Sequence, residues 1–428
     1  MNRVWWTVVI VAAIVAVILR HDLLFQTSLL LSLLGGASYL WARYCLVAVT
    51  YRRHLGSLRL FYGEETDLTV EIVNAKPLPL SWLRAEDEFP ADVELLHGRL
   101  SYSHLPRRRI LTNFLSLRWY ERVTRRYRLR GERRGAWPIG PVDLSSGDLF
   151  GFAMRYTRMD EVEYLIVYPR MVPVTALGLP AQHPFGDFAT PRRILDDPLR
   201  LVGAREYVPG DSFRTIHWKA TARRQALQTK VFEPSAARPV AIFLNINTSD
   251  YAYEGIDPEL QEFAITATAS LARRAWEDKL PVGLYVNSVA YPGGKRIRIP
   301  PGTRPDQMTW ILEALAKVVS LGHWRLAAIL QLEVPSLRMG TTIVVVTAVM
   351  NDLLRAILAD LPRRGYPVVL VTLGSAQLDR PLPGVRSYHL GGRERWRELT
   401  AVGLEWQQSA VATEGKPAVA VSPEGSVA

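Results

Sequence analysis

Cysteine is almost missing: Cys45 is the single one in 428 residues. That excludes an intramolecular disulfide framework and any zinc site built on cysteine thiolates. A glycine-rich phosphate loop is missing as well, which removes the main sequence ground for a nucleotide site. Carboxylates are scarce beside cations, 41 Asp and Glu against 52 Lys and Arg, for a formal net charge of +11. Such a balance suits a membrane surface or a polyanion equally and does not choose between them. Apolar residues are plentiful at 48%, and the length suits two or three domains.

The apolar excess is concentrated at the start. Residues 4–19 carry no charge, and residues 23–42 are broken only by Gln26, Thr27, Ser28, Ser32 and Ser38. Between them lies Arg20-His21-Asp22. The first run spans about 24 Å as a helix, short of a hydrocarbon core of about 30 Å, a mismatch that slight bilayer thinning accommodates. No polar cleavage region separates the two runs, so a helical hairpin is expected rather than a signal peptide. Arg43, Arg52, Arg53 and Arg59 follow the second run, whereas Arg20 alone lies in the hinge. The positive-inside rule then predicts a multi-pass protein of the inner (cytoplasmic) membrane, with both termini and all soluble domains cytoplasmic.

Residues 58–168 change to short alternating runs with Gly and Pro punctuation, predicting strands at 67–74, 115–119, 123–129 and 163–168 and a β-sandwich-like domain. Eleven arginines fall between Arg107 and Arg134, opposed by Glu121 and Glu132. The solvent face of a sheet accounts for most of them, and attraction to anionic lipid is the functional alternative. Nucleic acid is not an expected partner: it calls for a recognised module or exposed aromatics interleaved with the charge, and Trp119, Tyr120 and Tyr127 suit a core equally.

From residue 239 the pattern alternates β and α. Strands are predicted at 240–244, 282–286, 341–347 and 367–373, and helices at 258–279, 306–319, 324–332 and 352–361. This predicts a doubly wound α/β fold with a parallel sheet, whose ligands would bind at the strand carboxyl ends. The loop there, Asn245-Ile246-Asn247-Thr248-Ser249-Asp250, resembles the metal-dependent adhesion site of von Willebrand A domains, Asp-x-Ser-x-Ser. Asn245 replaces the Asp, Asn247 the first Ser, and Ser249 alone matches. A hard cation needs carboxylate and hydroxyl oxygens, so the site is expected to be degenerate and metal-free.

Between these domains runs Arg205-Glu206-Tyr207-Val208-Pro209-Gly210-Asp211-Ser212-Phe213-Arg214-Thr215-Ile216-His217-Trp218-Lys219-Ala220-Thr221-Ala222-Arg223-Arg224. Pro209-Gly210 suits a type II turn and Asp211 a helix N-cap. Arg205, Tyr207, Gly210, Asp211, Arg214, Ile216, Trp218, Thr221, Ala222 and Arg223 match a signature of the bacterial domain-of-unknown-function family number fifty-eight. Arg134-Gly135, Gly140-Pro141 and Asp148-Leu149-Phe150-Gly151 resemble its weaker motifs, so the resemblance reaches to about residue 400. It implies a membrane hairpin, a β-rich segment, a von Willebrand A-like domain and association with MoxR-type AAA+ ATPases. It implies no catalytic activity and no cofactor.

The expected order is a transmembrane hairpin (1–50), a sandwich-like domain (55–170), a linker with the signature (171–237), a von Willebrand A-like domain (238–405) and a disordered tail (406–428). The expected role is a membrane-anchored adaptor or assembly factor acting with the ATPase on an unidentified client. The alternatives are metal-dependent ligand binding at Asn245, Asn247 and Ser249, and a hydrolase using Asp211 and His217. Within the signature, Arg205, Asp211, Arg214 and Arg223 are expected to form an ion-pair network around Trp218, locking the flanking domains together.

Overall fold

In the computed structural model of the chain the N-terminal apolar residues form two helices, Arg3–Ile18 and Asp22–Tyr44. The turn between them places Arg20 at positive φ, and the ring of His21 accepts from the Leu24 amide to cap the second helix. The structure describes residues 3–149, 151, 153–180, 184–185, 196–208, 213–234, 238–250, 255–378 and 380–399. The expected disordered tail lies outside them. Among these residues one helix, Asp22–Tyr44, is long and apolar enough to cross a membrane, and Trp5–Ile18 is a shorter apolar stretch. At 23 residues the longer helix runs about 35 Å. Its buried residues are Ser28, Gly35, Ser38 and Ala42, whereas Leu23, Leu30, Leu33 and Leu40 are exposed.

The chain divides into two units, Met1–Pro169 and Arg170–Ala428. In the first, strand Glu65–Asn74 is the hub of a four-stranded sheet. It pairs antiparallel with Val49–Leu55 and Arg122–Arg130, and Glu94–Leu95 closes the far edge. Strand Leu80–Pro90 is central to a five-stranded antiparallel sheet, between Val142–Gly147 and Arg108–Leu117, with Met154–Met159 and Leu100–Tyr102 at the edges. The period of two sends Tyr51, Leu68, Val70, Ile72 and Leu129 of one sheet and Leu83, Ala85, Phe89, Leu111 and Leu144 of the other into one apolar core. A third, three-stranded sheet joins Arg59–Leu60, Glu163–Val167 and Gly135–Ile139.

The arginine-rich stretch is largely neutralised across strands. Arg130 meets Glu65 at 2.6 Å, Arg128 meets Asp67 at 3.7 Å, and Arg122 meets Glu71 at 3.6 Å. Charges of opposite sign on neighbouring strands, directly opposed or diagonal, stabilise a sheet, so these arginines are part of its pairing.

The second unit is built on a six-stranded sheet in the order Lys295–Gly302, Val282–Ala290, Val240–Leu244, Thr342–Thr347, Val368–Thr372, Val385–His389. Five strands are parallel. The sixth corrects the expectation of a purely parallel sheet: Lys295–Gly302 pairs antiparallel with Val282–Ala290 at the edge. Prolines 300 and 301 are tolerated there because an edge strand has a side that donates to no neighbour. Ala241, Phe243, Tyr285, Val345 and Leu370 pack under helices Leu326–Glu333 and Asp352–Asp360. Helix Pro258–Glu277, opened by Pro258 and capped by Asp257, covers the opposite face of the central strands.

Residues 171–179, expected within a linker, are packed rather than loose. Met171, Val172, Val174, Leu177 and Leu179 are buried, and the Val172 amide donates to Ser270 Oγ of the long helix at 3.0 Å.

Candidate functional site

Three central strands end together, and each changes from apolar to polar at the same level. Leu244 is in register with Val286 and Val346, so the residues that follow, Asn245, Asn287 and Thr347, stand side by side. All three are buried and saturated with hydrogen bonds. Asn245 Nδ2 donates to Thr347 Oγ1 at 3.0 Å, and Asn245 Oδ1 accepts from Asn287 Nδ2 at 2.8 Å and from the Asn247 amide at 3.2 Å. Asn287 also donates to Trp324 O and accepts from the Ile246 amide. Around this hub, Asn247 Oδ1 accepts from the Gly322 amide, and Gln261 Nε2 donates to Ile246 O and Ser320 O.

Gly322 is required by this closeness. A Cβ there would lie 2.2 Å from Asn247 Oδ1 and 2.8 Å from Asn287 Nδ2. Of the aligned adhesion-loop positions, Asn245 and Asn247 are thus drawn into the amide network, while Ser249 donates separately to Gly255 O at 3.0 Å. Asp250 accepts from Asn351, the cap of the next helix. No group of three or more His, Cys, Asp or Glu among the described residues is placed to hold a metal ion. The side-chain oxygens at the strand ends already serve amide donors, so a cation entering there would have to break them apart.

The signature forms its own element. Strand Asp196–Glu206 pairs antiparallel with Gln228–Pro234, Arg205 facing Thr229 and Glu206 facing Gln228. Between them lie a 3-10 turn, Phe213–Thr215, and a short helix, Trp218–Arg224. The helix cap is His217, whose Nδ1 accepts from the Ala220 amide at 3.2 Å; the expected cap Asp211 lies with Gly210 outside the described residues. Ile216 is buried and bridges to Thr229, the Thr221 hydroxyl accepts from the Gln228 amide at 3.0 Å, and Gln225 ends the helix in the left-handed region.

The network expected around Trp218 is described only in part. Trp218 is 69% exposed, the Trp218–Arg224 helix has no buried residue, and Arg223 lies in solvent. Arg205 donates to the Glu206 carbonyl at 3.1 Å. Asp211 and the Arg214 side chain lie outside what the structure describes. The module folds through Ile216, Thr221 and strand pairing, and it presents Val208, Phe213 and Trp218 outward with Lys219, Arg223 and Arg224, while half-buried Tyr207 stacks on Phe213 at 5.9 Å. His217 uses a ring nitrogen as a helix cap, and nothing among the described residues sets it against a nucleophile.

A third polar site lies in the first unit and was not singled out in the sequence. Asp87, fully buried, accepts from Tyr51 Oη at 2.9 Å and Arg53 Nη1 at 2.8 Å. Arg53 and Tyr51 belong to one sheet and Asp87 to the other, so the cluster clasps the two sheets across the core. Burial raises the Asp87 carboxyl to about 6, against the opposing pull of Arg53. The same burial, with the Asp87 charge next, raises the Tyr51 phenol well above its usual range.

The uncharacterized protein YeaD of Bacillus subtilis (strain 168) is 24% identical over 403 residues, covering 89% of this chain and 93% of that protein. Solved structures match only in part. A β-glucosidase from Listeria innocua is 11% identical with a TM-score of 0.15, over 26% of this chain and 16% of that enzyme. The C-terminal domain of wzt is 12% identical with a TM-score of 0.19, over 29% of this chain and 75% of that chain. Neither carries an argument about fold or function. The signature and the six-stranded sheet fall together within one family match: residues 203–404 match the family described as protein of unknown function DUF58.

Proposed function

We propose that this chain is a membrane-anchored cytoplasmic adaptor or assembly factor that acts through protein contact with a MoxR-type AAA+ ATPase. The observation that carries the reading is the outward face of the signature module. Trp218, Phe213 and Tyr207 with flanking arginines have the composition of an interface anchor, enriched in aromatics and Arg. Burying each exposed ring in a partner would contribute roughly 1.5–3 kcal/mol. The residues that hold the module together, Ile216 and Thr221, are separate from those that face outward.

Two transmembrane helices, with the termini and the soluble units in the cytoplasm, are part of the same reading. Its support is the inside-out packing of Asp22–Tyr44, small residues inward and leucines outward, which suits lipid and opposes water. We read the six-stranded unit as a von Willebrand A-like domain in which an amide network occupies the metal locus, which favours binding over metal chemistry.

The test is co-purification of the full-length chain in mild detergent under ATP-bound conditions. Wild type should recover an AAA+ ATPase, and the Phe213→Ala/Trp218→Ala variant should lose it with unchanged thermal unfolding. Recovery of no such ATPase by wild type, or equal recovery by the variant, refutes the proposal.

A further inference from the structure

The Asp22–Tyr44 helix enters the sandwich at one end. After Tyr44 the chain turns through buried Cys45, and the Ala75 amide donates to Ala48 O. Val49 then pairs with Asn74. Asn74 in turn donates to Leu78 O and Arg118 O, and the Tyr120 amide donates to Lys76 O. Leu80 faces Leu117, and Val142–Gly147 runs so that Gly147 emerges at this same end, where the helix also touches Val142–Gly147 and Met154–Met159. The helix exit, the turns at 75–79 and 118–121 and the stretch 147–149 therefore share one end of the first unit.

That end carries large exposed side chains where a water-facing turn would carry polar ones. Trp119, Tyr120 (68% exposed), Leu149, Met154 and Tyr156 all face solvent, beside exposed Arg43, Arg118 and Arg155. Aromatic rings interleaved with arginine at the mouth of an apolar helix are the chemistry of the bilayer interface, where Trp and Tyr sit at headgroup level and cations meet anionic lipid. Tyr102, 88% exposed and paired with Arg109, marks the opposite end. Its partner Arg109 lies about 27 Å from Leu117 at the rise of an antiparallel strand.

We propose that the helix-proximal end of the sandwich is an interfacial face that rests on the headgroups of the leaflet from which Asp22–Tyr44 emerges. This rests on the reading of that helix as membrane-spanning. The face holds the sandwich against the bilayer, so the first unit is docked on the membrane and not merely tethered to it.

The experiment uses full-length chain in phosphatidylcholine/phosphatidylglycerol vesicles, with a fluorophore on one introduced cysteine. Cys45 is buried, and the unsubstituted chain corrects for any labelling of it. The labelled variants are Tyr120→Cys, Tyr156→Cys, Tyr102→Cys and Leu33→Cys, all at exposed positions outside the core. Emission at 120 and 156 should be lost to lipids carrying a nitroxide near the headgroup. Emission at 33 should be lost to a nitroxide deep in the acyl chain, and emission at 102 to neither. Loss at 33 without loss at 120 and 156 overturns the proposal while the spanning helix stands, and gives the face to a protein partner or a second copy. Loss at 120 and 156 without loss at 33 refutes the spanning helix and keeps the face as a peripheral membrane surface. Equal loss at 102 overturns the proposal, because contact is then not confined to the helix end.

Discussion

Removing the carboxylate of Asp87 should be among the most damaging single changes in the first unit. Asp87 is wholly buried, and the Arg53 side chain that it pairs with is only 3% exposed. Asp87→Ala leaves that guanidinium without its charge partner in the core, and Tyr51 without its acceptor. Breaking one side of a buried pair costs about 3–5 kcal/mol, whereas replacing both sides by apolar residues is close to neutral. For a unit of this size about 2–4 °C accompanies each kcal/mol, so a fall of roughly 6–20 °C is expected. Thermal unfolding of the full chain in mild detergent measures it, with Arg53→Met/Asp87→Leu expected to recover most of the loss. The sign with pH follows from the carboxyl being raised to about 6 from 3.8. The folded unit then binds the proton more tightly than the unfolded chain. This group's contribution is therefore full below about pH 3.8 and lost as pH rises through about 6. Relative to Asp87→Asn, wild type should gain on the order of 1 kcal/mol between pH 7 and pH 5. An Asp87→Ala variant within about 0.5 kcal/mol of wild type, the range of a surface change, would refute the clasp.

The amide network makes three further predictions. Asn287→Ala removes three side-chain hydrogen bonds at a site sealed from solvent, and about 2–4 kcal/mol of stability should go with them, read by denaturant unfolding. Gly322→Ala should act through the same network. Its methyl group meets Asn247 and Asn287, so amide protection at Ile246 and Asn247 in hydrogen exchange should fall even where global unfolding shifts little. Titration of wild type with Mg²⁺ should give no saturable heat in the millimolar range, and saturable binding would show that the network yields to a cation.

Much of the architecture is legible from local pattern. Val240–Leu244, Thr342–Thr347 and Val368–Thr372 are continuous apolar runs buried on both faces, and Glu65–Asn74 alternates because one face meets the core. Lys295–Gly302 is hidden by its prolines and arginines. Only its neighbour explains them: it is an edge strand, and Arg298 meets buried Glu333 of a helix at 2.7 Å. The amide hub had a signal that was readable in retrospect, the first polar residue after each buried run. Asn287 was overlooked because its meaning depends on standing level with Asn245 and Thr347, which is a matter of register. A tryptophan among charges reads as the centre of a cluster, and nothing in the local sequence says which side of a seven-residue helix faces inward.

The apolar N-terminal helices, the change from strand-rich to alternating β and α, and the family match of residues 203–404 are set by periodicity, hydropathy and motif, properties of neighbours along the chain. Tertiary structure alone decided that Arg53 meets Asp87, that cross-strand carboxylates neutralise much of the arginine stretch, that the strand-end amides satisfy one another, and that the signature's aromatic residues face outward. Each is a pairing between distant residues. Burial and charge take their energetic sign from what lies across the contact, and the linear sequence does not state it.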